Sequence, residues 1–206
     1  MPGKIKFTKG ELKSQRDDLK QFERYLPTLQ LKKQQLQLEI LMQVTVLQER
    51  KLSLARKKQA IDAWCGLFNE TAVDLKQFLS PARVATRLKN IAGVDIPVFS
   101  AVDFKPAEYD LFVMPLWLDA AVDHLRVVIA LAQEILVLEK GIAILRHELR
   151  ITTQRVNLFE KVLIPQAEEN IRLIKIYIGD QMANAVGRSK IAKRKIEELV
   201  LAGEAA

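Results

Sequence analysis

Apolar residues recur every three or four positions along two long stretches of this chain. The more regular repeat runs through the last third of the sequence, from Val128 to Tyr177. Its positions are Val128, Leu131, Ile135, Leu138, Ile142, Leu145, Leu149, Thr152, Val156, Phe159, Leu163, Gln166, Asn170, Leu173 and Tyr177. Such a repeat keeps one edge of a helix against a partner helix, as in a coiled coil. We therefore expect a helix over 117–203, with Pro165 inside it and the repeat in phase on both sides.

A second repeat of the same kind, with more polar members, occupies the first third of the chain. It follows Thr8, a residue suited to cap a helix, with Glu11 at the capping-box spacing. Its positions are Leu12, Gln15, Leu19, Phe22, Leu26, Leu29, Lys33, Leu36, Ile40, Gln43, Leu47, Arg50, Leu54, Lys57, Ile61, Trp64 and Phe68. We expect a helix over 8–70 in which Pro27 causes a kink but leaves the repeat in phase. Flanking apolar residues predict a further packing surface; they are Leu31, Leu38, Leu41, Val44 and Val46.

The segment between the two repeats, residues 71–116, has a different character. Ser80 and Pro81 interrupt any helix, while residues 82–88 fit either a short helix or extended chain. Residues 90–98 alternate like a strand, and we expect residues 99–104 to pair back against them as a short β-hairpin. The residues assigned to this hairpin are Asn90, Ile91, Ala92, Gly93, Val94, Ile96 and Pro97.

Together the two repeats predict an all-α fold, a single elongated domain built on a long antiparallel two-helix coiled coil. The small middle region with its short β-hairpin joins the two helices. The predicted seam contains Leu12, Leu19, Phe22, Leu29, Leu36, Ile135, Leu138, Ile142, Leu145, Leu149, Val156 and Phe159. If Phe68 lies near His124, the register places Leu12 near Asp180 and Pro27 near Pro165.

Charge adds a possible binding surface to this picture. The chain of 206 residues carries a formal net charge of +7, which favours an acidic partner. Basic residues near the two termini form the predicted tip: Lys4, Lys6, Lys9, Lys13, Arg188, Lys190, Lys193, Arg194 and Lys195. An antiparallel pair brings both groups to one end, although cations near a helix C-terminus also stabilise the helix without a partner.

Residue types that would support catalysis or metal binding do not occur in recognisable patterns. We find no phosphate-binding loop, nucleophile elbow or pair of catalytic carboxylates, and we expect no catalytic residue and no cofactor. Cys65 is the only cysteine, which excludes an internal disulfide, and His124 and His147 lack a partner ligand four residues on. The residues 127–138 are too few to span a bilayer, and residues 1–10 contain no apolar signal region.

Three stretches of the chain resemble the D subunit of the V-type and archaeal-type rotary ATPases, in particular its bacterial branch. They are residues 25–33 (YLPTLQLKK), residues 90–97 (NIAGVDIP) and residues 153–165 (TQRVNLFEKVLIP), in the order expected for that family. The last stretch contains an Arg-Val-Asn element, Arg155 to Asn157, followed by Ile164 and Pro165. Residues 5–9 match the family's N-terminal pattern only loosely.

The resemblance implies a central rotor shaft without catalytic activity of its own. In that family the termini insert into a hexameric head of A and B subunits, and the F subunit binds the side of the shaft. A funnel-like subunit connects the shaft to the membrane rotor ring. The shaft transmits torque between ATP hydrolysis or synthesis in the head and the transport of protons or sodium ions, at the cytoplasmic face of the membrane.

Two other interpretations remain open at this point. A basic coiled-coil protein could bind nucleic acid or serve as a scaffold, since net positive charge permits it. Acidic residues such as Asp17, Asp18 and Glu23 interrupt the positive charge, however, and no recognition helix or base-stacking surface is visible. The shaft of an F-type enzyme is the other possibility, although its middle region is much larger than residues 71–116.

Overall fold

Helices account for most of the structure, and one β-hairpin lies between them. The computed structural model describes residues 6–64, 66, 75–106 and 114–204. The elements are α1 (Lys9–Asp62), α2 (Lys76–Leu79), β1 (Pro81–Ile91), β2 (Val94–Phe104), α3 (Leu118–Leu158), a π-helical turn (Phe159–Leu163) and α4 (Ile164–Glu204). This arrangement confirms the predicted class, mostly helical with a small antiparallel hairpin.

The chain divides into two compact units. The terminal unit contains Met1–Gln30 and Gln154–Ala206, and the central unit contains Leu31–Thr153. Residues Cys65 and Phe68 lie outside the described part of the chain, so the continuation of the first helix to residue 70 remains a prediction. The division of the sequence at residues 70 and 116 likewise remains a prediction.

Thr8 begins α1 as its capping residue. The Glu11 backbone N–H donates a hydrogen bond to Thr8 Oγ1 at 3.2 Å, which satisfies one of the free donors at the helix start. The Glu11 carboxylate does not complete the reciprocal capping box but accepts a hydrogen bond from Gln15 at 3.0 Å. The predicted helix start is therefore confirmed. Of the predicted capping box, the bond to the Thr8 side chain is formed and the bond from the Glu11 side chain is not.

The repeat along α1 stays in phase where it passes through Pro27. Pro27 lies inside α1, and Leu26, Leu29 and Lys33 around it are all half-buried. Leu36 is completely buried one turn later. The same face of the helix is therefore covered before and after the proline.

Pairs of side chains within each unit confirm that the helices run antiparallel. In the terminal unit the rings of Phe7 and Tyr177 lie 5.0 Å apart, and those of Phe22 and Phe159 lie 5.4 Å apart. In the central unit Arg50 pairs with Glu134 at 2.9 Å, Lys51 pairs with Glu139 at 2.7 Å, and Trp64 contacts His124. In each unit, later residues of α1 meet earlier residues of the partner helix.

In the terminal unit the predicted register of this pairing is wrong. It places position 177 opposite Gln15, whereas Asn170 donates a hydrogen bond to Gln15 at 3.2 Å. The difference of seven residues is about two helical turns. Because Phe22 contacts Phe159, the predicted pairing of Pro27 with Pro165 is also wrong. A heptad repeat matches a partner equally well after a shift of seven, so the pattern alone does not determine the register.

The hairpin reverses direction at Ala92 and Gly93 and not near residue 98. Ile91 pairs with Val94, and both loop residues have positive φ angles, 51° and 78°. Two-residue hairpin loops prefer this conformation, and glycine adopts it without a steric penalty. The predicted pairing of residues 90–98 with residues 99–104 is therefore wrong, and residues 82–88 form part of an extended strand.

The hairpin packs on α1 and α3 through the core of the central unit. Leu36 of α1 and Leu145 of α3 are completely buried together with Val94 and Ile96 of β2. Burial of large aliphatic side chains such as these stabilises the fold by about 1.5–3 kcal/mol each. The hairpin is thus a packed layer of this unit.

The repeat in the last third of the chain shifts phase at the π-helical turn, contrary to the prediction. The backbone N–H of Ile164 donates to the carbonyl of Phe159, five residues earlier. Pro165 follows directly; it has no N–H, and in an α-helix its ring clashes with the carbonyl four residues before it. The wider turn adds one residue and relieves this conflict. Gln166 and Tyr177, predicted to lie in the seam, are consequently exposed.

Candidate functional site

The basic residues near the termini are exposed in the terminal unit. This holds for the described members of the predicted tip, which are Lys6, Lys9, Lys13, Arg188, Lys190, Lys193, Arg194 and Lys195. Lys4 lies outside the described residues. The contact of Phe7 with Tyr177 places the start of α1 beside α4. Arg188 follows Tyr177 by eleven residues, or about 16 Å of helix, so both basic groups belong to the same end of this unit.

Two of these cations are paired on their own helix. Lys193 lies 3.7 Å from Glu197, and Arg194 lies 3.2 Å from Glu198. Exposed pairs of this kind contribute about 0.3–0.5 kcal/mol and exchange readily with other partners. They therefore leave the basic surface available to an acidic protein.

Small and exposed residues precede the basic cluster of α4. Every residue from 179 to 187 is exposed, and a Cβ atom added at Gly179 or Gly187 meets no atom within 4 Å. Glycine in the middle of a helix costs about 1 kcal/mol relative to alanine. This segment is therefore slender, at some cost in helix stability.

An apolar strip follows the outer side of α1 in the central unit. We call it the outer strip, and it consists of Leu31, Leu38, Leu41, Met42 and Leu52, each between 53% and 67% exposed. Of the other flanking residues, Val46 is 38% exposed, and Val44 is half-buried in an open groove of about 420 Å³ beside α3. Contiguous exposed apolar residues often mark a protein-binding surface.

Arg126 of α3 holds both ends of the hairpin. Its guanidinium donates to the carbonyl of Phe78, at 3.3 Å from Nε and 3.1 Å from Nη2, and to the carbonyl of Lys105 at 2.8 Å. The same group lies 5.3 Å from the centre of the Phe104 ring. Phe78 precedes β1 and Lys105 follows β2, so one side chain binds both the start and the end of the hairpin. The sequence did not predict this role, since no local pattern distinguishes Arg126 from other helix arginines.

Further contacts hold the residues predicted for the hairpin. The amide of Asn90 accepts from the Gly93 N–H at 3.1 Å and donates to Asp95 at 2.7 Å, which organises the turn. Gly141 of α3 is buried under β2, where an added Cβ would lie 3.6 Å from the Pro97 carbonyl oxygen. The structure therefore brings the predicted hairpin residues together at the turn and against α3.

Arg172 and Glu169 form an exposed ion pair on α4. Arg172 donates two hydrogen bonds to the Glu169 carboxylate, at 2.8 and 2.7 Å. These bonds lower the pKa of Glu169 and raise the pKa of Arg172, although both groups are exposed. Among the described residues, no group of three or more His, Cys, Asp or Glu could hold a metal ion. None of the described helices is long and apolar enough to span a membrane.

Comparison with known proteins finds relatives along nearly the whole chain. The family model described as the ATP synthase D subunit matches residues 11–194. A Borreliella burgdorferi protein named as a V-type ATP synthase D subunit is 46% identical over 193 residues, which cover 94% of this chain and 95% of the relative. Proteins of the same name from Chlamydia pneumoniae and Chlamydia muridarum are 32% and 33% identical, each across 96% of this chain and across 95% and 98% of the relative. These matches give no support to a nucleic-acid-binding or scaffold protein.

Proposed function

Because this chain belongs to the ATP synthase D subunit family, we propose that it is the central-stalk shaft of a rotary ATPase and transmits torque. Torque passes between the shaft and a head of A and B subunits, where ATP is hydrolysed or synthesised. It also passes between the shaft and a membrane ring that transports ions, through a funnel-like subunit. In this role the chain lies at the cytoplasmic face of the membrane and contributes no catalytic residue or cofactor.

The pairing of sequence-distant segments in the terminal unit is the observation that supports this proposal best. Phe7 contacts Tyr177, Gln15 contacts Asn170, and Phe22 contacts Phe159. A single helix transmits torque poorly because it can bend and unwind alone. Two helices joined side by side through such contacts resist both motions, which is the mechanical property a shaft requires.

The basic end of the terminal unit is our proposed contact with the A and B subunits. Rotation inside a sleeve requires contacts that form and break without a large barrier. Exposed cations meeting acidic side chains provide weak, exchangeable attraction of this kind. Gly179, Ala183, Ala185 and Gly187 carry little or no side chain, which keeps this segment narrow.

The outer strip of the central unit is our proposed site for the F subunit. Leu38 and Leu41 are 64% and 67% exposed on one side of α1. A bound partner that covers these residues removes apolar surface from water, at roughly 25 cal/mol per Å².

Reconstitution of the membrane-embedded complex with and without this chain tests the proposed function. We expect ATP-driven ion pumping to stop when the chain is omitted, while the isolated head retains ATP hydrolysis. Adding the purified chain back is the control and should restore pumping. Persistent ATP-driven pumping without the chain would contradict the proposal.

A further inference from the structure

The π-helical turn changes which face of α4 meets α1. In the terminal unit, Val156 is buried just before the turn, with an exposed fraction of 3%. A continuous three–four repeat from that point places Gln166, Asn170, Leu173 and Tyr177 in the seam. The buried residues are instead Ala167, Ile171 and Ile174, with exposed fractions of 4%, 7% and 0%. Each lies one position later than the repeat predicts.

This shift of one position matches the extra residue in the turn. The Ile164 N–H binds a carbonyl five residues back in place of four, so one more residue is used to complete the same turn. Residue 167 consequently occupies the angular position that residue 166 would have in an uninterrupted α-helix. One residue corresponds to a rotation of about 100° about the helix axis.

The two possible phases differ in chemistry. The uninterrupted phase would bury the polar side chains of Gln166 and Asn170 against α1. The observed phase buries Ala167, Ile171 and Ile174, and leaves Asn170 at the edge, where it donates to Gln15 at 3.2 Å. Burial of apolar side chains and solvation of polar ones both favour the observed phase.

We propose that the π-helical turn beside Pro165 accommodates one inserted residue and thereby sets the rotational phase of α4. It turns the apolar face of α4 toward α1. Pro165 maintains the turn because an α-helical turn at this place would bring its ring against a backbone carbonyl. This inference concerns the terminal unit alone and holds whether or not the chain transmits torque.

Two deletions in the full-length chain test the proposal; the first is combined with Pro165→Ala, which permits an α-helix at this place, and the second retains Pro165. The first variant lacks Glu160, inside the π-helical turn; the second lacks Glu168, in α4, and neither glutamate is buried. Removing Glu160 should convert the turn to α-helix and leave the phase of α4 unchanged. Removing Glu168 from the chain that retains Pro165, and therefore keeps the turn, should rotate everything after it by about 100° and expose the apolar face. We expect the first deletion to shift Tm by less than about 3 °C and the second by more than about 10 °C.

Cysteine labelling in a Cys65→Ser background provides the second measurement. A thiol introduced by Ile174→Cys should react with a maleimide at least about tenfold more slowly than one introduced by Gln166→Cys. We expect this difference both in the chain without a deletion and after deletion of Glu160. Deletion of Glu168 should abolish the protection of the thiol at the Ile174 position. Equal effects of the two deletions, or loss of that protection when Glu160 is removed, would overturn the proposal.

Discussion

At the scale of single residues, the backbone requires glycine at one of two positions in the central unit and not at the other. Gly93 has a φ of 78°, which an L-residue adopts with strain. Among the described residues, an added Cβ there would meet only Lys32 Nζ, at 3.9 Å. Gly141 is helical, and a Cβ there would make an ordinary contact of 3.6 Å with the Pro97 carbonyl. The backbone therefore requires glycine at the first position and merely tolerates it at the second.

The same substitution should consequently have opposite effects at the two sites. We expect Gly93→Ala to destabilise the chain by about 1–2 kcal/mol because of its left-handed backbone. Gly141→Ala should stabilise it by up to about 1 kcal/mol through higher helix propensity. Urea unfolding measures both values. Effects of the same sign would show that the backbone argument is incorrect.

Arg126 gives a second prediction at this scale. Arg126→Met keeps the aliphatic stem but removes the donors to the carbonyls of Phe78 and Lys105. Hydrogen bonds to a charged group contribute about 1.5–3 kcal/mol, so we expect a loss of about 2–3 kcal/mol and faster amide exchange in β1 and β2. Arg150→Met, at an exposed position of the same helix, is the control and should change neither. Unchanged exchange in the hairpin of the Arg126 variant would exclude the proposed restraint.

At the scale of elements, the sequence predicted the long helices and their apolar faces, but not the shift of the apolar face by one residue after Pro165. Pro27 and Pro165 look alike in the pattern, since each interrupts an apolar repeat. At Pro27 the helix continues with the same number of residues per turn, whereas at Pro165 a π-helical turn adds one. Beyond Pro165 apolar residues occupy both phases, such as Leu173 beside Ile174 and Tyr177 beside Ile178. Ala167 and Ile171, however, are apolar where Gln166 and Asn170 are polar, so the sequence already favoured the observed phase and the prediction missed this signal.

Neighbouring positions on α1 test the assignment of its faces. Leu36 is completely buried against the hairpin, whereas Leu38 is 64% exposed. We expect Leu36→Ala to cost about 2–5 kcal/mol because it leaves a cavity in the core. Leu38→Ala should change stability by no more than about 0.5 kcal/mol. Thermal unfolding of both variants measures the difference, and a similar loss for each would contradict the assigned faces.

The outer strip extends the same argument to binding. Leu38→Glu adds a charge where the isolated chain exposes an apolar side chain, so stability should change little. If the F subunit covers the strip, its affinity should fall by about tenfold or more, since a charge would be buried on binding. Titration calorimetry with the purified F subunit measures this. An unchanged affinity would place that partner on another surface.

At the scale of the whole molecule, family membership rests on matches along residues 11–194 and agrees with the resemblance found in three short stretches. The helical class and the position of the hairpin could be predicted from local patterns, and the antiparallel pairing from two apolar repeats joined by a short middle segment; the strand pairing of the hairpin could not. The register and the restraint by Arg126 could not, because they depend on which side chains meet across the fold. The contacts of the basic end with the A and B subunits remain a proposal.

The most direct test of the account is to observe this chain while ATP is hydrolysed. Leu88 is 77% exposed on β1 and accepts a probe through Leu88→Cys in a Cys65→Ser background. With the A and B head fixed to a surface, a bead attached at this position reports any rotation of the chain. The account predicts continuous rotation in one direction that starts with ATP and stops without it. A bead that stays fixed, or moves without direction, while the head hydrolyses ATP at its normal rate would contradict it.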